Sequence, residues 1–312
     1  MDKKPLVSFC ISTYKRPEIL NRQIELLLQQ IYSDFFIVIS DNDPGKSAEQ
    51  VANGFCDERI KYFPNGENLG ILKSFNKSIE RSVTEFIVMI TDDDPLDIHF
   101  LSEMMPLIND YPKKSLYGGF RVKFIKSSKV AAISKNDFPS FVLDPAKNPF
   151  IFWSNCILRK VDVLEMGCIP EYEGTHLADH ALLAICGSIN GAVIKNKIYS
   201  SHTQHENNYS KTNFSNYYSG CIGFYNFLNE YFKNKENSKK IKKVIRIHLK
   251  NWFISMSFTL RRYFYKTANK KALKEIDEFS NDILNLDFMR GALIKYKIKK
   301  IIFRTKAFFN LL

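Results

Sequence analysis

Three times in the first hundred residues a short β-rich run breaks off into a polar loop, and this alternation is what most restricts the fold. Val7 to Ser12 runs into Ser12-Thr-Tyr-Lys-Arg-Pro17, Phe36 to Ser40 into Ser40-Asp-Asn-Asp-Pro-Gly45, and Phe86 to Ile90 into Thr91-Asp-Asp-Asp-Pro95. Helical periodicity occupies Glu18 to Gln30 and Gly70 to Arg81. Strands alternating with helices predict an open α/β sheet. In such sheets ligands sit beyond the carboxyl ends of the strands, so the three loops outline one nucleotide-sized crevice. Pro17 and Pro95 stand where a first helical turn tolerates proline. Neither G-x-G-x-x-G nor G-x-x-x-x-G-K-[ST] occurs, which disfavours dinucleotide and Walker-type phosphate cradles.

The 312 residues, 45% of them hydrophobic, can fill a sizeable core. No signal peptide is read at the N-terminus, and apolar stretches such as Trp252 to Leu260 fall short of the roughly 20 residues that span a bilayer, so a cytoplasmic protein is expected. The six cysteines form no C-x-x-C pair and are expected to be reduced and mostly buried. Charge divides the chain sharply. Up to residue 230 there are 24 basic and 27 acidic residues, a net −3; beyond it there are 21 and 6, a net +15. The chemistry is therefore sought in the first part, and an anionic partner for the second.

Three carboxylates in a row, Asp92, Asp93 and Asp94, follow the apolar run Phe86 to Ile90. Hard oxygen ligands suit Mg²⁺ or Mn²⁺, and such an ion would offset a diphosphate's charge in place of a P-loop. Asp94 could also cap a helix starting at Pro95. Both can hold at once, with Asp92 and Asp93 facing the crevice.

Taken together, Val7-Ser-Phe-Cys-Ile-Ser-Thr-Tyr-Lys-Arg-Pro17, Ser40-Asp-Asn-Asp43, Asn68-Leu-Gly70 with Asn76, and Thr91-Asp-Asp-Asp94 resemble, in order and spacing, the family 2 glycosyltransferases of bacterial surface-polysaccharide type over roughly residues 5 to 210. The resemblance implies a GT-A nucleotide-diphospho-sugar transferase fold and inversion by direct displacement. It places Thr13, Tyr14 and Arg16 beside the base and ribose, Asp41 at the nucleobase edge, Asn68 in the donor site, and Asp92 to Asp94 on ribose and metal. Lys73 is a candidate cation for the diphosphate, although a helical lysine is more often simply solvated. Leu177-Ala-Asp-His-Ala-Leu-Leu183 resembles the family's acidic motif and makes Asp179 the base that deprotonates the acceptor hydroxyl. His180 is expected on another helix face, in a structural role. His205, within H-x-x-N-x-S, is the candidate metal-ligating histidine, with His202 as the alternative. Three positions depart from the family's pattern: Lys15 where Asn is common, Phe75 where Arg is frequent, and Ala178 where Glu often precedes the Asp. Phe152 and Trp153 could offer a sugar-stacking platform, though aromatics are more often core.

The expected organisation is an α/β GT-A catalytic domain over residues 1–215, with a nucleotide half to about 118 and an acceptor half from about 119. A basic helical region follows over 216–312. Ile241, Val244, Ile245, Leu249, Trp252, Phe253, Met256 and Leu260 fall on one helical face. Near the C-terminus Ile294, Ile298, Ile301, Ile302 and Phe309 recur among Lys295, Lys299, Lys300, Arg304 and Lys306, the pattern of an interfacial helix. The expected function is an inverting, metal-dependent hexosyltransferase. Its donor would be a nucleotide-diphospho-sugar, UDP by default, and its acceptor a glycan or lipid-linked glycan on the inner face of the cell membrane. An anionic membrane surface is the expected partner and nucleic acid is not. The rival functions are a sugar-nucleotide nucleotidyltransferase, whose glycine-rich N-terminal loop is missing from Ser12 to Pro17, and a non-catalytic membrane scaffold.

Overall fold

The computed structural model describes residues 7–122, 129–148, 151–201 and 215–309. They fall into two compact units, Met1–Glu171 with Ala178–Gln204, and Tyr172–Leu177 with His205–Leu312.

The first unit is built on one sheet. Its strands are β1 (Val7–Thr13), β2 (Phe35–Asp41), β3 (Ile60–Pro64), β4 (Phe86–Thr91), β5 (Leu116–Gly119), β6 (Val130–Ile133), β7 (Cys156–Arg159) and β8 (Ala192–Lys195), in spatial order β3-β2-β1-β4-β7-β5-β8-β6. β1 is parallel to both β2 and β4, with Thr13 opposite Asp41 and Ser12 opposite Thr91. The chain thus moves outward from β1 to β3 and returns to β4 on β1's other side. That reversal makes a topological switch point between β1 and β4, where open α/β sheets hold their ligands. The far half is mixed: β7 is antiparallel to β4 and β5, and β8 runs parallel to β5 and antiparallel to β6.

β1 is buried along nearly its whole length because helices cover both faces. Val7, Phe9 and Ile11 share a core with Leu20, Ile24 and Leu27 of α1 (Pro17–Leu28) and with Phe100, Leu101 and Met104 of α4 (Phe100–Asp110). Each side chain so buried contributes about 1.5–3 kcal/mol. On the opposite face, small residues let α3 (Ile71–Arg81) approach closely: Cys10 Sγ bonds Ser78 O at 3.6 Å and Ser12 Oγ bonds Ser74 Oγ at 2.7 Å. Pro17 opens α1 as expected. Pro95 does not open a helix. The next helix starts at Phe100, and Pro95 to Asp97 is extended instead: Leu96 bridges Ser200, Ser201 N donates to Pro95 O, and Asp97 N donates to Tyr199 O. A long-range pairing has claimed a segment whose proline suited either conformation, so no helix starts at Pro95 for Asp94 to cap.

An ion cluster clamps that pairing. Glu103 of α4 accepts from Lys195 Nζ at 2.7 Å, Lys197 Nζ at 2.7 Å and Tyr199 OH at 2.8 Å. Burial pushes the Glu103 carboxyl upward, but these three bonds outweigh it and bring it down to about 2. A carboxylate held below its unfolded value of 4.5 stabilises the fold fully above that pH and loses the contribution as pH falls toward 2. Urea titrations at pH 6 and pH 3 should therefore find Glu103→Gln less stable than the wild type at pH 6, with the gap narrowing at pH 3.

The second unit contains α8 (Ser215–Tyr231), α9 (Ser238–Lys266), α10 (Lys270–Leu284) and α11 (Ala292–Phe308). Of the apolar face expected on α9, Ile241, Ile245, Leu249, Phe253 and Leu260 are buried, while Val244, Trp252 and Met256 are half-buried. Tyr217 stacks between His176, at 3.9 Å between ring centroids, and Trp252 at 5.7 Å. Burial brings His176 down to about 4, so the ring is neutral in the core at physiological pH. Asp277 of α10 accepts from Arg261 of α9 at 2.6 Å and from Lys300 of α11 at 2.5 Å, tying three helices together. Among the described residues no helix is long and apolar enough to cross a membrane.

A candidate active site at the switch point

The three loops singled out in the sequence do meet. Thr13, the last residue of β1, donates its hydroxyl to Asp92 Oδ2 at 3.0 Å, across the switch point to the residue just past β4. Arg16 Nη1 bridges Asp92 Oδ1 at 3.2 Å and Asp93 Oδ2 at 3.4 Å. Asp92 and Asp94 are buried and Asp93 is half-buried. Burial drives the Asp92 carboxyl up to about 6 against the pull of Arg16; the Asp93 charge adds to the rise, and the bonds from Thr13 and Arg16 oppose it. One guanidinium therefore stands against two carboxylates in a poorly hydrated place, which further positive charge would relieve.

Asp41 lies at the level of Thr13 and is fully buried. Its oxygens accept from Asp43 N at 2.9 Å, Ala48 N at 3.1 Å and Tyr62 OH at 2.9 Å, so the carboxylate shapes the loop that follows β2. Asn42, which the sequence had offered only as part of a motif, ties two loops together. It donates to Asn68 Oδ1 at 2.7 Å, and its own oxygen accepts from Leu69 N at 2.9 Å and Asn65 Nδ2 at 3.3 Å. Asn68 Oδ1 also accepts from Gly70 N, at the left-handed residue that starts α3. Lys73 is exposed on α3. Asn76, also on α3, is buried and pins Ile169, whose N donates to Asn76 Oδ1 at 3.0 Å.

Tyr14 is 40% exposed, with the Lys15 ammonium 5.3 Å from its ring centre. Lys15 has φ +55°, the left-handed region in which Asn is tolerated far better than Lys, and this accounts for the asparagine common at that position in the family it resembles. Lys15→Asn should accordingly stabilise the protein by about 1 kcal/mol, the lower end of the usual cost of such a conformation, read as a rise in Tm by calorimetry.

Asp179 is half-buried in the first turn of α7 (Ala178–Asn190) and is not part of the Thr13, Arg16, Asp92 and Asp93 cluster. His180, expected on another face, comes within 3.7 Å of Asp179 Oδ2 through its Nε2. Leu177, immediately before the helix, has φ +68°, a strained state for a bulky residue. Phe75 is buried and meets Trp153 edge-on, with centroids 4.7 Å apart. Trp153 thus packs against the residue that replaces the family's frequent arginine. His202 and His205 lie outside the described residues. The chain leading to them is fixed by Asn155, whose Oδ1 accepts from Tyr199 N and Ser200 N at 2.7 Å each. Sequence reasoning passed over Asn155, although it adjoins the Phe152-Trp153 pair that was noticed. Among the described residues, no three His, Cys, Asp or Glu side chains converge as a metal cage.

Residues 8–165 match the model of the family described as Glycosyl transferase family 2. The chain belongs to that family. A GalNAc(5)-diNAcBac-PP-undecaprenol beta-1,3-glucosyltransferase of Campylobacter jejuni is 28% identical over 109 residues, 34% of this chain and 35% of that protein, so the chain is matched to only about a third of its relative's length. Two solved structures share the fold. S. aureus TarS in complex with UDP-GlcNAc superposes with a TM-score of 0.61 at 16% identity, covering 86% of this chain and 80% of that one. A mannosyltransferase from Pyrobaculum calidifontis in complex with GDP-Man and Mn²⁺ superposes with a TM-score of 0.57 at 13% identity, covering 96% and 88%. The family 2 chain therefore has the GT-A fold, with a helical region at its C-terminal end.

Proposed function

We propose that this family 2 chain is an inverting hexosyltransferase moving a sugar from a nucleotide-diphospho-sugar to a glycan hydroxyl. The observation that carries the proposal is the bonded cluster of Thr13, Arg16 and Asp92 beyond the ends of β1 and β4. Tyr14 and the loop shaped by Asp41 would border the nucleoside, Asn68 would close its edge, and Lys73 would face the diphosphate. A divalent cation, Mn²⁺ or Mg²⁺, would neutralise the diphosphate leaving group when bound. The site's residues fit one. Mg²⁺-type sites use one or two carboxylates and take their other ligands from phosphate and water, and here a buried Asp92 sits in excess negative charge. Asp92 and Asp94, with His205, would hold it.

In the transfer, the acceptor oxygen attacks the anomeric carbon as the bond from that carbon to the diphosphate oxygen breaks. Asp179 takes the hydroxyl proton, and the electron pair leaves on the nucleoside diphosphate. Strain at Leu177, next to this carboxylate, supports the assignment, since strained backbone concentrates at working sites. The acceptor is proposed to be a lipid-linked glycan of surface-polysaccharide synthesis, in keeping with the undecaprenol-linked substrate in the relative's name, and the protein to work at the inner face of the cell membrane.

The test is a thermal-shift titration of the purified protein with UDP, GDP, CMP and dTDP, with and without Mn²⁺. Metal-dependent stabilisation by one nucleotide supports the proposal and names the donor class. No shift with any of them rejects it.

A further inference from the structure

We propose that α11 is a docking surface for an anionic lipid bilayer, with Ile294, Ile298, Ile301 and Ile302 as the groups that enter it. The proposal names the contact surface for the membrane-side location suggested above and rests on that part of it. One side of α11 is settled by packing: Ala292 and Tyr296 are buried, Tyr296 lies 5.3 Å from Phe258, and Phe303 lies 6.1 Å from the same ring. The other side is apolar and open. Ile294, Ile298, Ile301 and Ile302 are 69%, 54%, 66% and 50% exposed. At 3.6 residues per turn these four share an arc of roughly 100°, opposite Tyr296 and Phe303.

Charge decides what covers this stripe. Every charged residue of α11 is basic: Lys295, Lys297, Lys299, Lys300, Arg304 and Lys306. By the same helical geometry Lys295, Lys299 and Lys306 border the stripe on one side, and Lys297 and Arg304 on the other. Only Lys300 has an acidic partner among the described pairs, and it lies toward the packed side. The crowding is felt at Lys299, whose ammonium is made more acidic first by burial and then by the Lys295 and Arg262 charges. A second copy of this helix would bring two such basic borders together within a Debye length, which is repulsive. Nucleic acid would pair the lysines and leave the isoleucines in water. An anionic bilayer satisfies both, burying the stripe below the headgroups while the flanking cations meet phosphate.

The test uses the full-length protein with sedimentable vesicles of phosphatidylcholine alone or with about a third phosphatidylglycerol. The wild type should partition at least about tenfold more strongly onto the anionic vesicles, and 0.5 M salt should weaken it, each exposed cation being worth roughly a fivefold factor. I298S/I301S, which touches only exposed positions, should lose about tenfold or more of that binding with an unchanged Tm. Replacing Lys297 and Arg304 by Gln should weaken binding to the anionic vesicles by roughly a fivefold factor for each cation removed and leave binding to the neutral vesicles unchanged. Equal or absent binding to both vesicle types overturns the proposal, as does retained binding by the isoleucine variant. A dimer in sedimentation equilibrium that I298S/I301S dissolves also overturns it, by assigning the stripe to a second copy. Nucleotide-induced thermal shifts measured on the same samples keep the outcomes separate. Their loss in every sample would count against the donor site alone.

Discussion

Asp179→Asn is expected to lower kcat about 10²–10⁴-fold, the usual worth of a positioned base, while metal-dependent nucleotide stabilisation stays at the wild-type level. The carboxylate sits in the first turn of α7 outside the Thr13, Arg16 and Asp92 cluster, so its loss should not reach the nucleotide. Single-turnover transfer with donor in excess is the measurement. Asn keeps the volume but cannot take a proton at neutral pH. A variant that retains more than a tenth of the wild-type rate would remove Asp179 from the mechanism, and one that lost both rate and nucleotide binding would give it a structural role.

Asp92→Asn should have the opposite profile: the protein alone is as stable as the wild type or more so, but the Mn²⁺-dependent nucleotide shift disappears. With ligand at a hundredfold excess over Kd that shift is worth about 2.7 kcal/mol, so its absence is easily read. Transfer should fall at least about 10²-fold. The stability half follows from the carboxyl being raised to about 6 from 3.8. A buried carboxylate raised in this way costs the fold nothing when protonated, and the cost grows as pH rises from 3.8 to about 6. The Tm difference between variant and wild type should therefore be small at pH 4 and full at pH 7. Loss of stability at pH 7 would mean that the Thr13 and Arg16 bonds outweigh burial.

The half of the sheet that holds β1, β2 and β4 was legible because its strands are apolar runs that burial on both faces demands. Val7 to Ser12, Phe36 to Ser40 and Phe86 to Ile90 lie within β1, β2 and β4, each a residue or two short. The far half was not. β5 ends in Gly118-Gly119, and β7 is only Cys156 to Arg159, so neither carries a β-branched signal of useful length; pairing with distant partners makes them strands. Pro95 was misread for the same kind of reason, since its partners lie a hundred residues away at Ser200 and Ser201. At the site, residue types were readable but their obligations were not. Asp41 carries three intramolecular bonds that no spacing reveals, and Asn155, which holds the approach to the histidine-bearing segment, belongs to no motif.

Arg16 gives the site a thermodynamic signature. Its guanidinium already offsets part of the Asp92 and Asp93 charge, so a metal arriving alone meets only what Arg16 leaves uncompensated. A metal that arrives with a diphosphate offers Arg16 new anionic company at the same moment. The two ligands should then be strongly cooperative, and by reciprocity each should tighten the other by the same factor. Calorimetric titrations with Mn²⁺ alone would look nearly silent, and the same titrations with saturating nucleotide would not.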